Sequence, residues 1–343
     1  MNSMASKRIR SYSRVLVRDS RMFFMLLYAM LALGTLISAL YVAAIRPSLS
    51  SEAEYSSIAA DMVLAAYAAG GIFIIVPLFR ELYDIRFVDL DFSLPLSSSE
   101  RFFAKLRLLV KHHLLPMLAA EGLLAVQAFV KLGGPESSDE LVTVIYRLTS
   151  AMGMLVFLDC TAILCVTLCG RLGECIAAVP LTAAVLSLFP TYLFAAFSNN
   201  TFSISNLRFV PFGVMDYFSN PSGSFRLTVP GAAARAVINI ALSLLLLLAA
   251  ARIYKTRSGA ETGAAVISDK LYYLSLFGIS IATITVMPNE QGFLLPVLLV
   301  GCAGCILLTA AVNRKRQIPF SIPIAGAVHI AGVMILGLLD MIR

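Results

Sequence analysis

The chain has 343 residues, of which 59% are hydrophobic and 14% charged, with a mean hydropathy of +0.85, more apolar side chain than a soluble domain of this length needs to fill a core. Its net charge of +7 comes from short basic stretches between apolar runs rather than from a basic stripe interleaved with aromatics. That speaks against nucleic acid as a partner and predicts an all-α, polytopic helical membrane protein.

In chain order, residues 1–21 come first. The run SKRIRSYSRVLVRDSRMF sets Ile9, Tyr12, Val15 and Val17 among five arginines and a lysine, which suits a basic amphipathic interfacial helix at the headgroup level. A solvated basic tail is the alternative. No apolar core with a small-residue cleavage site is seen there, so no removable signal peptide is expected.

Nine apolar runs follow, at 22–45, 58–79, 110–130, 148–169, 176–197, 233–252, 271–288, 292–312 and 319–339. Each is roughly long enough to cross about 30 Å of hydrocarbon, although 271–288 is short. The last contains Pro319, Pro323 and His329 and is re-entrant in an alternative count of eight. With the amino terminus inside, 20 of the 27 Lys and Arg residues lie on the cytoplasmic side, which fixes the orientation in the plasma membrane. Every cysteine then falls in a span or on the cytoplasmic side, so no disulfide framework is implied. Cys302-x-x-Cys305 reads as two small residues of an apolar span rather than as a metal site, and no metal is expected.

Between runs two and three lies the cytoplasmic stretch 80–109. Leu94-Pro95 breaks any helix arriving from run two, and Ser97-Ser98-Ser99-Glu100 predicts a capping box that starts a new helix. Phe102, Leu106 and Leu109 or Val110 would form its apolar stripe, with Arg101 and Lys105 sharing a charged face. A docking helix and a solvated elbow are both open on these grounds. His112-His113, beside Arg107 and Lys111, reads as an anchor at the membrane rim. Three acids fall inside the runs: Asp61 near the outer end of the second, Glu121 in the middle of the third and Asp159 in the middle of the fourth. They either line a cavity or moving interface, or order the bundle through hydrogen bonds. The external loop 198–232 carries Phe202, Phe209, Phe212 and Phe218 at spacings suited to a short helix on the membrane surface.

SLPLSSSERFFAKL, residues 93–106, resembles the cytoplasmic coupling segment of type-2 ABC transporter permeases at Leu94, Pro95, Ser97, Arg101 and Lys105, although the basic residue comes later than in that family. After the sixth run, IYKTRSGAETGAA is similar to a Tyr-x-x-Arg-x-x-Glu-x-x-Gly pattern of some bacterial members, carried by Tyr254, Arg257, Glu261 and Gly263 with one residue inserted. The resemblance covers residues 1–270. It implies a six-helix permease core over 22–270, with a coupling helix at about 93–111, and leaves 271–343 as additional spans. By that likeness Ser97, Ser98, Glu100, Arg101, Phe102 and Lys105 would meet an ATPase subunit, and two permeases would pair as a homo- or heterodimer in lipid. The chain itself has no G-x-x-x-x-G-K-[ST] and no G-x-G-x-x-G after a strand, so ATP and Mg would be bound by the partner and no enzyme activity or cofactor is expected here. An exporter of an amphipathic or apolar substrate such as a peptide, lipid or drug follows. An ion-driven secondary transporter, or a non-transporting immunity or sensor subunit, is the alternative.

Overall fold

The computed structural model describes residues 3–44, 52–88, 94–131, 138–173 and 229–257, with isolated positions between 175 and 186. Among them the regular structure is helical, with no strand. The chain divides into two compact units, one of 1–167 with 214–262 and the other of 168–213 with 263–343. In the second, the described residues are helical around 172–186, and Cys169, Cys175, Ala178 and Ala183 are buried. The expected runs 176–197, 271–288, 292–312 and 319–339 and most of the loop 198–232 lie outside the described residues, wholly or nearly so.

Unit one starts with α1 (Ser3–Asp19), whose Ile9, Tyr12 and Leu16 recur at i, i+3 and i+7 and are buried. Its hydrogen bonding runs on through Ser20, which donates to Leu16 and accepts from Phe24, into α2 (Arg21–Ala44). The next helix, α3 (Glu52–Leu78), makes the most extensive packing in the unit, against α2. Gly34 sits directly against Ala66 at this crossing, and any side chain there would collide with it. Pro77 offers no amide donor and crowds the carbonyl four residues back, so α3 stops one residue later. The chain then folds through two 3₁₀ turns, Arg80–Leu82 and Ile85–Phe87.

The capping box is present as the sequence predicts. Ser97 accepts from the Glu100 amide at 3.3 Å while the Glu100 carboxylate accepts from the Ser97 amide at 2.9 Å, opening α4 (Ser98–Leu109). A π turn, Val110–Leu114, joins α4 to α5 (Leu115–Lys131), where the sequence suggested one uninterrupted span from 110 to 130. Pro116 gives a local reason: its ring would crowd the carbonyl of His112 in a regular helix, and the wider turn relieves it. Two long helices complete the described part, α6 (Ser138–Leu168) and α7 (Val229–Thr256). Residues 21–41 of α2 are long and apolar enough to cross a membrane; 63–78 and 152–168 are shorter apolar helices.

Packed along α4, α1 buries Ile9, Tyr12 and Leu16 while Val15 is exposed. One feature of this packing corrects the sequence reading: the charged face expected on α4 is not solvated, with Arg101 4% exposed and Lys105 0%. Phe103, 61% exposed, points outward instead, with Arg107, Val110 and Lys111. Phe102 and Leu109 of the expected apolar stripe are buried, and the charged face is buried with them because α4 is covered from more than one side, by α1, α3 and α7.

Candidate functional site

Two buried polar clusters lie in unit one. The first gathers at the ends of helices. Glu81, in the 3₁₀ turn after α3, forms an ion pair with Lys105 of α4, both essentially without solvent contact. Tyr254, in the last turn of α7, donates its hydroxyl to the same Glu81 oxygen at 3.1 Å and lies 3.3 Å from the Lys105 ammonium. Around them Phe79, Phe102 and Tyr254 pack as three rings, with Phe102 and Tyr254 centroids 5.4 Å apart and Phe79 edge-on to both. The Lys105 ammonium also sits 5.3 Å from the Phe79 ring centre. A cation this deep needs both an anion and aromatic faces, since burying it alone costs far more than the fold can spare.

One turn beyond Tyr254, Arg257 completes the cluster. Its guanidinium donates to the Leu82 carbonyl at 2.7 Å and to those of Thr167 and Val166 at 2.8 and 3.3 Å. Leu82 closes the turn after α3, and Val166 and Thr167 lie in the last turn of α6, so the planar fork takes up carbonyls that a helix end cannot satisfy internally. A cation beside a helix C-terminus also complements its dipole.

The second cluster lies in mid-helix. His113, in the π turn, is fully buried; its Nδ1 is 2.9 Å from Asp159 Oδ2 of α6 and its Nε2 2.7 Å from the carbonyl of Tyr67 in α3. A carbonyl only accepts, so Nε2 carries a proton, and one further proton lies between Nδ1 and the carboxylate. The imidazole stacks on the Tyr67 ring at 5.9 Å. Gly71 makes room for the pair: a Cβ there would stand 3.1 Å from Asp159 Oδ1 and 3.4 Å from His113 Cε1. Glu121 is buried two turns beyond His113 along the chain. The rim anchor expected of His112-His113 does not hold for His113, which is buried in the bundle. His112 is partly exposed and meets Tyr28 and Phe24 of α2, whereas His113 turns into the bundle because the π turn rotates it toward Asp159.

At the periphery, hydrogen bonds from the Arg86 fork hold Asp84 below the usual carboxylate range. The amide and hydroxyl of Ser97 hold Glu100 below it in the same way.

Of the residues singled out in the sequence, Phe102, Lys105, Tyr254 and Arg257 come together in the first cluster. Ser97 and Glu100 serve the cap, with Ser98 accepting from Arg101 at 3.3 Å. Asp159 joins the second, and Glu121 is buried in α5. The side chain of Asp61, and both Glu261 and Gly263, fall outside the described residues. Glu81, Tyr67 and Gly71 were not singled out, and His113 was read as a rim residue. A Glu beside a helix-ending turn and a Gly-Gly pair in an apolar run are common in helical chains, and only a partner 24 or more residues away gives them meaning. Among the described residues no group of three His, Cys, Asp or Glu side chains is placed to hold a metal.

Comparison with known proteins brings no further constraint. No protein family, curated protein or solved structure matches the chain.

Proposed function

We propose that the chain is the membrane-spanning subunit of an ATP-binding cassette exporter, anchored by about nine helices in the plasma membrane and driven by a separate ATPase chain. The observation that carries the reading is α4: a capped helix whose charged and aromatic inner side is bolted to the ends of α3 and α7. Its outer side, Phe103 with Arg107, Val110 and Lys111, is left for a partner. A solvated elbow has no need of a buried ion pair. The likeness of 93–106 to a coupling segment adds support, with the correction that Arg101 and Lys105 hold the helix in place and Phe103 and Arg107 meet the ATPase.

Membrane insertion is supported by three outward apolar stripes: Met22 to Leu40 on α2, Leu115 to Val130 on α5 and Ile240 to Leu248 on α7. The stripe on α2 alone spans about 27 Å at 1.5 Å per residue, close to the depth of the hydrocarbon. Exposed apolar area on this scale is untenable in water. Purified in mild detergent from its native membranes, the tagged chain should bring down an ATPase with a Walker motif. Phe103→Asp and Arg107→Glu should release that ATPase without lowering the yield of the chain; recovery of the intact chain alone, from wild type, overturns the reading.

One observation favours a second reading. The shared proton of His113 and Asp159, at the junction of α3, α5 and α6, suits a secondary transporter driven by a proton gradient. Efflux of a lipophilic dye from reconstituted vesicles separates the two: the exporter needs ATP and survives a protonophore, the secondary transporter the reverse.

A further inference from the structure

Arg257 and Tyr254 stand three residues apart at the end of α7, and between them they touch every other helix end in the first cluster. Tyr254 reaches Glu81 and Lys105; Arg257 reaches Leu82, Val166 and Thr167. Both are buried. The bonds are of unequal kind. Tyr254 binds side chains on α4 and the turn after α3, while Arg257 binds backbone carbonyls on the turn after α3 and on α6. A displacement of α4 thus meets Lys105 and Glu81 first, passes to Tyr254, and continues through Arg257 into α6. Asp159 lies two turns up α6 from that contact, at the second cluster.

We propose that Tyr254 and Arg257 are positioning residues forming a transmission latch, through which movement of α4 is delivered to the last turns of α6 and α7. The inference rests on α4 as the ATPase-docking helix only for the origin of the movement; the mechanical linkage stands on the contacts themselves. Arginine is required because one guanidinium spans two helix ends, whereas a lysine ammonium at the same point serves one of them. Glutamine reaches neither set at once.

The test uses the full chain with its ATPase in reconstituted membranes, comparing wild type with Arg257→Gln, Arg257→Lys and Tyr254→Phe. Dye transported per ATP hydrolysed should fall about tenfold in Arg257→Gln and by less in Arg257→Lys, whatever each variant loses in folded yield. A purely structural role would instead lower folded yield, hydrolysis and transport in proportion, leaving that ratio unchanged, and would overturn the proposal. A second measurement needs no ATPase. Amide exchange in detergent should speed up by about tenfold in Arg257→Gln at residues 98–109 and 163–168 together, with 24–40 of α2 unchanged. If only the last turn of α7 responds, there is no latch. Absence of any ATPase from the wild-type preparation would sink the docking role of α4 but not the latch, which the exchange data decide alone.

Discussion

The two polar clusters bury charge for different reasons. At the helix ends, Arg257 meets carbonyls that have no partner within their own helices, so a donor is demanded by the way α6 and the turn after α3 terminate. In mid-helix nothing comparable is demanded. Apart from the π turn, the backbone around His113, Asp159 and Tyr67 is already paired within its helices, and Tyr67 lends only a second lone pair of its carbonyl. The first cluster is therefore necessary to the fold as built, and the second is an added expense that stability alone does not require.

Substitutions in and around the clusters would break or sharpen that contrast. Glu81→Ala leaves the Lys105 ammonium buried without its anion and should cost about 3–5 kcal/mol, read as a large fall in melting temperature in detergent; Glu81→Gln with Lys105→Met should recover much of it. Gly71→Ala drives a methyl against Asp159 and His113 and should cost about 1–3 kcal/mol. Amide exchange at Arg80–Leu82 should not move in that variant, because the two clusters share no side chain; a response there would mean they are one network. Ser97→Ala removes the cap of α4 and should cost about 1 kcal/mol, measured as faster exchange over residues 98–101. The same cap gives a pH signature. Glu100 is held below its ordinary 4.5 by Ser97, so its contribution is complete above that value and fades as pH falls through the lower folded value. Wild type should therefore lose protection at 98–101 on acidification, and Glu100→Gln should not show that dependence. The smallest effect is expected of His113→Leu combined with Asp159→Leu, within about 1 kcal/mol of wild type in stability, while transport is lost. If that double variant unfolds, the mid-helix pair is as structural as the clasp.

Legibility followed the range of the interactions. Ser97 and Glu100 stand three residues apart, and the capping box they form could be read directly because both partners lie within one turn. The helices 21–44, 52–78 and 229–256 were likewise visible as apolar runs, within a few residues at each end. The facing of α4 was not. Its periodicity located a helix with two kinds of side, the charged one open to a partner or to solvent, but Lys105 finds Glu81 and Tyr254 at the ends of α3 and α7. Motifs at 93–106 and 253–265 were seen separately; nothing in their spacing said that they touch.

By itself, the sequence determined the helical class and the start of α4, because propensity and capping act over a turn or less. Tertiary structure decided which charges are interior. A buried ion is tolerable only where its partner is delivered by another helix, and that delivery depends on packing at separations of 24 residues for Lys105 and Glu81 and 149 for Lys105 and Tyr254.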